Sequence, residues 1–277
     1  MAHEVLTEVE IASILEHNQG EEEELSSPRK LLFCWSKPDH PEGTHSYERF
    51  ATYWANQLNQ VDKIQASAVK GFPNKAQWEN ADLVVFNLTQ SNLQPEQYEL
   101  LDRHLAKGGA LIVFHQGIVQ RKGYEEWAER IGLAFSWEQG ASRSRWGKGL
   151  LTISLDTSHE IFRGFPKEVQ MKDELYWNFK KGSRGRVTVL GETLAPAEAK
   201  KAKGPKLKDS ATTQWPAFWC VEHEGIDGQR GGRVFGSVVG HYDGVQHSPF
   251  LEAVIIRAFA WCLDEPVKPF AERSQIE

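Results

Sequence analysis

The stretch KLLFCWSKPDHPEGTHSYERFATYWANQL, residues 30–58, holds three kinds of pattern in succession. KLLFCW (30–35) is short, apolar and unbroken, the mark of a strand buried on both faces of a parallel sheet. The next residues carry Pro38, Asp39, Pro41 and Gly43, which form turns. From there Tyr47, Phe50, Ala51, Trp54, Ala55 and Leu58 recur at the 3.6-residue helical period, with Thr44 or Ser46 as N-cap. A buried strand, a turn-rich loop and an amphipathic helix make one βα unit.

The rest of the chain repeats the unit. IQASAV (64–69), ADLVVFN (81–87) and ALIVFH (110–115) read as further strands. Between the last two lies a helix with Pro95 in its first turn and Gly108–Gly109 at its end. Tyr124, Trp127, Ala128 and Ile131 mark a shorter helix. LLTISL (150–155), RVTVL (186–190), AFWCVE (217–222) and RVFGSVV (233–239) are strands. A nearly all-apolar helix, with Ser248 as N-cap and Pro249 at its first position, runs to Leu263. Such alternation predicts an α/β fold: a mostly parallel sheet with helices on both faces, extended at one edge by antiparallel strands from the strand-rich middle. The predicted domain spans residues 29–267. Before it, residues 1–28 form a helical or mobile arm. Residues 5–17 of that arm are amphipathic, with Val9, Ile11, Ala12 and Leu15 on one side, and an acidic linker follows. Residues 194–214, rich in Lys, Ala and Pro without an apolar period, are expected to be a mobile excursion, either a plain surface loop or a lid. Residues 268–277 are expected to be a tail.

Composition removes several classes of function. A net charge of -6 argues against nucleic acid, whose phosphates want a basic face. Three cysteines without CxxC spacing point to a reduced, cytoplasmic compartment. The N-terminal residues lack a basic and then apolar pattern, so no signal peptide is expected. The best apolar run, residues 253–263, is interrupted by Arg257, so no membrane span is expected. There is no GxGxxG after the first strand, no P-loop, no HExxH and no GxSxG. Dinucleotide oxidoreductases, P-loop NTPases, zincins and serine hydrolases are therefore set aside, and no nucleotide cofactor is expected.

In an open parallel sheet, ligands bind beyond the carboxyl ends of the strands. Trp35, Asp39, His40 and His45 follow the first strand; Asn87 and Thr89 follow the third; His115, Gln116 and Gly117 follow the fourth; His241, Tyr242, Asp243 and His247 follow the last. Three strand ends thus deliver histidines to one edge. A single histidine there often only bonds a loop carbonyl; three together suit acid/base chemistry or a metal. DELYW (173–177) pairs two carboxylates with a Tyr and a Trp. It reads equally as an acid/base pair with a stacking platform, as a helix start or as loop ion pairs. Ten tryptophans are many for 277 residues. They are read either as core packing or as flat faces for stacking a sugar ring.

The segments HPEGTHSYE, HEIFRG, DELYW and GRVFGSVVGHYDGVQHSPFLEAVIIRAFAWCLDEPV together resemble the ThuA-like (trehalose-utilisation) proteins, over about residues 29–267. These are a branch of the class I glutamine amidotransferase-like, flavodoxin-like fold. The resemblance implies that fold and a link to disaccharide or keto-sugar metabolism in bacteria. Its His-x-x-x-x-His element falls on His40 and His45, its strand-four histidine on His115, its acidic element on Asp173, Glu174 and Tyr176, and its Gly-His element on Gly240 and His241. The parent fold carries a nucleophilic cysteine at the turn after a central strand. That turn here reads FHQGIV, so a Cys-dependent amidotransferase is not expected.

Two classes follow. One is an enzyme (hydrolase, lyase or isomerase) acting on a carbohydrate, with His45, His115, Glu174 and His241 as the catalytic set. Trp35, His40, Asn87, Gln116, Asp173, Tyr176, Trp215 and Tyr242 are its candidate substrate contacts. In one version His45, His115 and His241 hold a divalent metal such as Zn²⁺; in the other they act as acids and bases without one. The second class is a non-catalytic sugar-binding or assembly subunit. The expected partner is a small-molecule carbohydrate, with no nucleic acid and no membrane, and a homo-oligomer is left open.

Overall fold

The computed structural model describes residues 6–16, 24–89, 93–196, 212–226 and 228–272. The elements run α1 (Glu8–Glu16), β1 (Arg29–Trp35), α2 (Tyr47–Leu58), β2 (Ile64–Lys70), α3 (Lys75–Asn80), β3 (Leu83–Asn87), α4 (Pro95–Ala106), β4 (Ala110–Phe114), α5 (Tyr124–Ile131), β5 (Leu133–Ala134), β6 (Arg145–Leu155), β7 (Glu168–Trp177), β8 (Lys180–Lys181), β9 (Arg186–Leu194), β10 (Gln214–Glu224), β11 (Arg230–Ser237), α6 (Asp243–Gln246), α7 (Pro249–Leu263) and α8 (Lys268–Ala271).

Among the described residues, nine strands form one sheet in the order β2-β1-β3-β4-β11-β10-β9-β6-β7. The first five pair in parallel. Their order is the 2-1-3-4-5 of flavodoxin-like folds, with β11 in the place of the fifth strand. Beyond β11 every pairing is antiparallel, so the strand-rich middle forms the expected antiparallel wing. The apolar stripe of α2 is buried at all six predicted positions. It packs beside α7, where Trp54 meets Phe259 edge-on, and Phe33 of β1 meets Phe259 as well. On the opposite face Phe86 of β3 touches Trp78 of α3 and Trp127 of α5. Fully buried aromatics of this kind each contribute roughly 3–5 kcal/mol, judged by truncation to Ala. The Ser248 hydroxyl accepts the Leu251 N–H, and Pro249 opens α7, as expected.

Arg257, in the middle of the apolar α7, is buried and pairs with no carboxylate among the described residues. Its guanidinium donates to the carbonyls of Glu160 (2.8 Å), Arg163 (3.0 Å) and Ile14. The last bond ties α1 to α7. This contact also corrects the expected face of α1. Ile14 and Leu15 are buried, whereas Val9 is 79% exposed and Ala12 is exposed.

Other expectations change as well. DELYW is neither a helix start nor a loop but the end of β7. α3, unread in the sequence, is closed by a capping box between Asn74 and Gln77. β6 begins at Arg145, five residues before LLTISL. Within the expected tail, α8 forms and buries Phe270. At the borders of the Lys-rich excursion, Leu194 and Gln214 are paired strand residues; its residues 197–211 lie outside the described residues.

Candidate active site

The loop after β1 and the loop after β11 close on each other. Thr44 and Tyr242 form an isolated antiparallel bridge. The His45 N–H donates to the His241 carbonyl (3.1 Å), and the Asp243 N–H to the Gly43 carbonyl (3.0 Å). The turns needed are costly. His45 and His115 both adopt positive φ, 52° and 42°, and Gly240 before His241 sits at 126°. Non-glycine residues held there by their surroundings cluster at functional sites.

The result is one buried cluster. His45 Nε2 lies 2.9 Å from His241 Nδ1, and His115 Nε2 lies 3.1 Å from the same atom. Glu174 Oε2 is 3.4 Å from His115 Nε2 and 3.5 Å from His241 Nδ1. None of the four residues is more than 5% exposed. The three strand-end histidines and the β7 carboxylate therefore share one centre.

β7 brings two carboxylates to two different jobs. Successive side chains on a strand point to opposite faces. Glu174 and Tyr176, opposite Lys148 and Trp146 of β6, face the histidines. Asp173 is turned to the main chain, accepting the N–H groups of Gly240 (2.7 Å) and His241 (3.1 Å). It is fully buried and acts as a clamp on the turn that presents His241. Burial pushes its carboxyl up to about 6, against the pull of His115 and these N–H bonds.

The outer side of the cluster is also built. Asp39 Oδ1 lies 2.9 Å from His45 Nδ1 and accepts the Tyr47 hydroxyl at 2.9 Å. Thr89 donates to the other Asp39 oxygen. Burial would raise the Asp39 carboxyl, but bonds from His45, Thr89, His40 and Tyr47 hold it well below the usual carboxylate range. His115 Nδ1 lies 2.6 Å from the Val238 carbonyl. The Tyr176 hydroxyl lies 2.8 Å from His115 Nε2 and 2.9 Å from the Gln116 side-chain amide. Burial, reinforced by the charges of His115 and His45, takes His241 down to about 3; burial also lowers His45. Burial acts to raise Glu174, yet its bond to His115 and the charges of His115, His241 and Lys148 bring it to about 2. Burial, and then the Glu174 charge, keep the Tyr176 phenol protonated. The centre thus combines an ionised carboxylate, the imidazoles of His45 and His241 disposed to be neutral, and a phenol proton donor.

The remaining sequence candidates fall around this centre to different degrees. His40 is exposed, its ring 3.8 Å from the His45 ring and its Nδ1 2.8 Å from Asp39. Tyr242 packs edge-on to His241 at 4.7 Å, beneath the Lys148 ammonium at 5.3 Å. Asn87 is buried at the end of β3, and its amide bonds none of the described residues. Trp35 ends β1, half-buried, under the Lys70 ammonium. Trp215 lies on β10 in the antiparallel wing, opposite Thr193. Sequence reading placed Asp39 at the carboxyl end of the first strand but gave it no role, and it did not single out Tyr47 or Lys148 for the site. Asp39 looked like a turn former at the ligand edge and Tyr47 like helix core. Lys148 carries no local signal, because its position depends on the β6–β7 register.

No helix among the described residues is long and apolar enough to cross a membrane. No curated protein sequence matches the chain. Among solved structures, the fold is similar to a ThuA-like protein of Bacteroides uniformis, with a TM-score of 0.63 at 15% identity, covering 91% of this chain and 99% of that one. A ThuA-like protein of Parabacteroides merdae gives 0.61 at 13% identity, over 87% and 96%. A protein of Salmonella typhimurium described as cytoplasmic gives 0.51 at 13% identity, over 84% and 98%. The family described as ThuA, trehalose utilisation, matches residues 30–262, nearly all of the flavodoxin-like sheet and every member of the buried cluster, and the chain belongs to that family.

Proposed function

We propose that the protein is an enzyme of bacterial carbohydrate utilisation that acts on a sugar or keto-sugar at the His45–His115–Glu174–His241 centre. The observation that carries this reading is the convergence itself. Four buried polar side chains from four separate segments meet at the carboxyl edge of a parallel sheet, two of them (His45 and His115) on strained backbone, where such folds bind small ligands. A structural role alone needs no such outlay.

The chemistry that fits is reaction beside a sugar carbonyl. The C–H bond next to the carbonyl breaks, its proton passes to a basic group of the cluster, and the electron pair moves onto the carbonyl oxygen. The Tyr176 hydroxyl is the donor placed to hold that oxygen. Elimination or isomerisation continues from the same intermediate.

The test is incubation of tag-free protein with trehalose and its keto derivatives, followed by NMR of the products and by calorimetric binding. Turnover by the wild type, with His115→Ala retaining its fold and sugar affinity but losing at least 100-fold in rate, is the expected result. Sugar affinity without turnover in either protein would replace the enzyme by a binding subunit. Neither affinity nor turnover toward these sugars would refute the reading.

A further inference from the structure

We propose that the cluster is a divalent transition-metal centre, with His45 Nε2, His115 Nε2, His241 Nδ1 and Glu174 Oε2 as ligands. The inference deepens the carbohydrate reading, resting on it for the metal's purpose, but its evidence is the geometry alone.

The hydrogen bonds around the histidines decide which nitrogens carry protons. The Val238 carbonyl can only accept, so His115 Nδ1 must donate to it at 2.6 Å. The Asp39 carboxylate can only accept, so His45 Nδ1 donates to it at 2.9 Å. With the outer nitrogens protonated, the neutral rings turn bare lone pairs inward at His45 Nε2 and His115 Nε2. Both face His241 Nδ1, which also faces the Glu174 carboxylate, and His115 Nε2 lies 2.8 Å from the Tyr176 hydroxyl as well. A single proton on His241 Nδ1 can lie along only one of these directions. A cation at the centre satisfies all four atoms together.

The dimensions agree. One ligand atom from each of the four residues lies within 4.8 Å of the others, and four of the separations are 2.9, 3.1, 3.4 and 3.5 Å. A tetrahedron with Zn–N bonds of about 2.0–2.1 Å has edges of about 3.3–3.4 Å. Small outward shifts of His45 and His115 from His241, with Glu174 drawn toward His45, complete it. Three imidazoles and one carboxylate suit Zn²⁺, Co²⁺, Ni²⁺, Fe²⁺ or Mn²⁺ better than Ca²⁺ or Mg²⁺, which prefer oxygen ligands. The outer partners are those of metal-binding histidines: a carboxylate behind His45 and a main-chain carbonyl behind His115. Asp39 is thus a positioning residue for His45, and Asp173 positions His241 through its N–H. The competing arrangement puts a second proton on His115, making an imidazolium paired to Glu174, with no metal needed.

The experiment strips tag-free, full-length protein with chelator and titrates it with Co²⁺, then displaces the Co²⁺ with Zn²⁺. The expected result is one Co²⁺ per chain with visible absorption of a nitrogen-rich, low-coordinate site, bleached by one equivalent of Zn²⁺. Asp39→Ala should weaken uptake about 10–100-fold, with Asp39→Asn recovering part of it through its carbonyl oxygen. Loss of the spectrum in His115→Ala and His241→Ala supports the ligand set, with circular dichroism reporting whether each variant folds. Should those two fail to fold, the wild-type spectrum and the Asp39 pair decide the matter. No saturable uptake by folded wild type, or uptake unchanged in the folded His115→Ala variant, overturns the proposal. Sugar turnover undiminished in stripped protein that takes up no ion would overturn the metal while keeping the carbohydrate reading. A metal-loaded protein inert to every sugar tested would keep the metal and discard that reading.

Discussion

Gly117→Ala should damage the centre without touching it. Gly117 lies in the 3₁₀ turn of His115–Ile118, two residues after His115. A Cβ at Gly117 would stand 2.6 Å from the Phe86 carbonyl oxygen and 3.3 Å from its carbon. Real Cβ contacts essentially never fall under 3.0 Å, so the turn and β3 must separate by about 0.4–0.8 Å. The other side offers little room, because the Trp127 indole donates to the Gly117 carbonyl at 3.1 Å. Overpacking of this kind costs about 1–3 kcal/mol, offset by about 0.4–1 kcal/mol from the smaller unfolded-state freedom of Ala. A shift of that size carried to His115 stretches its 3.1 Å approach to His241 Nδ1 to about 3.5–3.9 Å, beyond hydrogen-bond range. Urea unfolding at pH 7.5 should show a net loss of about 1–2 kcal/mol, and sugar turnover or Co²⁺ affinity should fall by at least 10-fold. Gly244→Ala is the control: it lies in α6, beside the same site, with nothing within 4 Å of where its new methyl group would stand. It should leave stability level or raised. A Gly117→Ala protein as stable and as active as Gly244→Ala would refute the close-approach reasoning.

Asp173→Ala should cost about 2–4 kcal/mol in urea unfolding, since it orphans the buried N–H groups of Gly240 and His241; an unchanged midpoint would remove Asp173 from the clamp role. Stability should also fall below pH 6.5 through His104, whose ring is buried with Nε2 2.9 Å from the Ala110 carbonyl. Burial lowers its pKa despite the bonds to the Ala110 and Trp78 carbonyls. The unfolded chain then takes up the proton first, so the contribution is complete above the unfolded pKa and is lost as pH falls through it toward the folded one. The slope is at most about 1.4 kcal/mol per pH unit, and His104→Gln should flatten the profile between pH 7.5 and 5.5. Parallel profiles for the two proteins would contradict this.

Local pattern was enough for much of the architecture. The stripe from Tyr47 to Leu58 is buried at each predicted position, because a helix packed against a sheet repeats its environment every 3.6 residues. The unbroken apolar strands forecast the parallel sheet, and that sheet alone requires His45, His115 and His241 to emerge at one edge. What local pattern does not encode is pairing between distant segments. In DELYW all five residues are buried, so no period of two shows, and only the register of β7 on β6 sends Glu174 to the histidines and Asp173 to the Gly240 turn. The nine-residue α1 offers apolar residues on more than one side; packing against α7 selects Ile14 and leaves Val9 in solvent. The protonation of the cluster depends on Asp39 and on the Val238 carbonyl, the latter 123 residues from His115. A hydrogen bond of under 3 Å across that separation is a property of the closed fold, because chain neighbours set periodicity whereas only tertiary contact sets which lone pairs face each other.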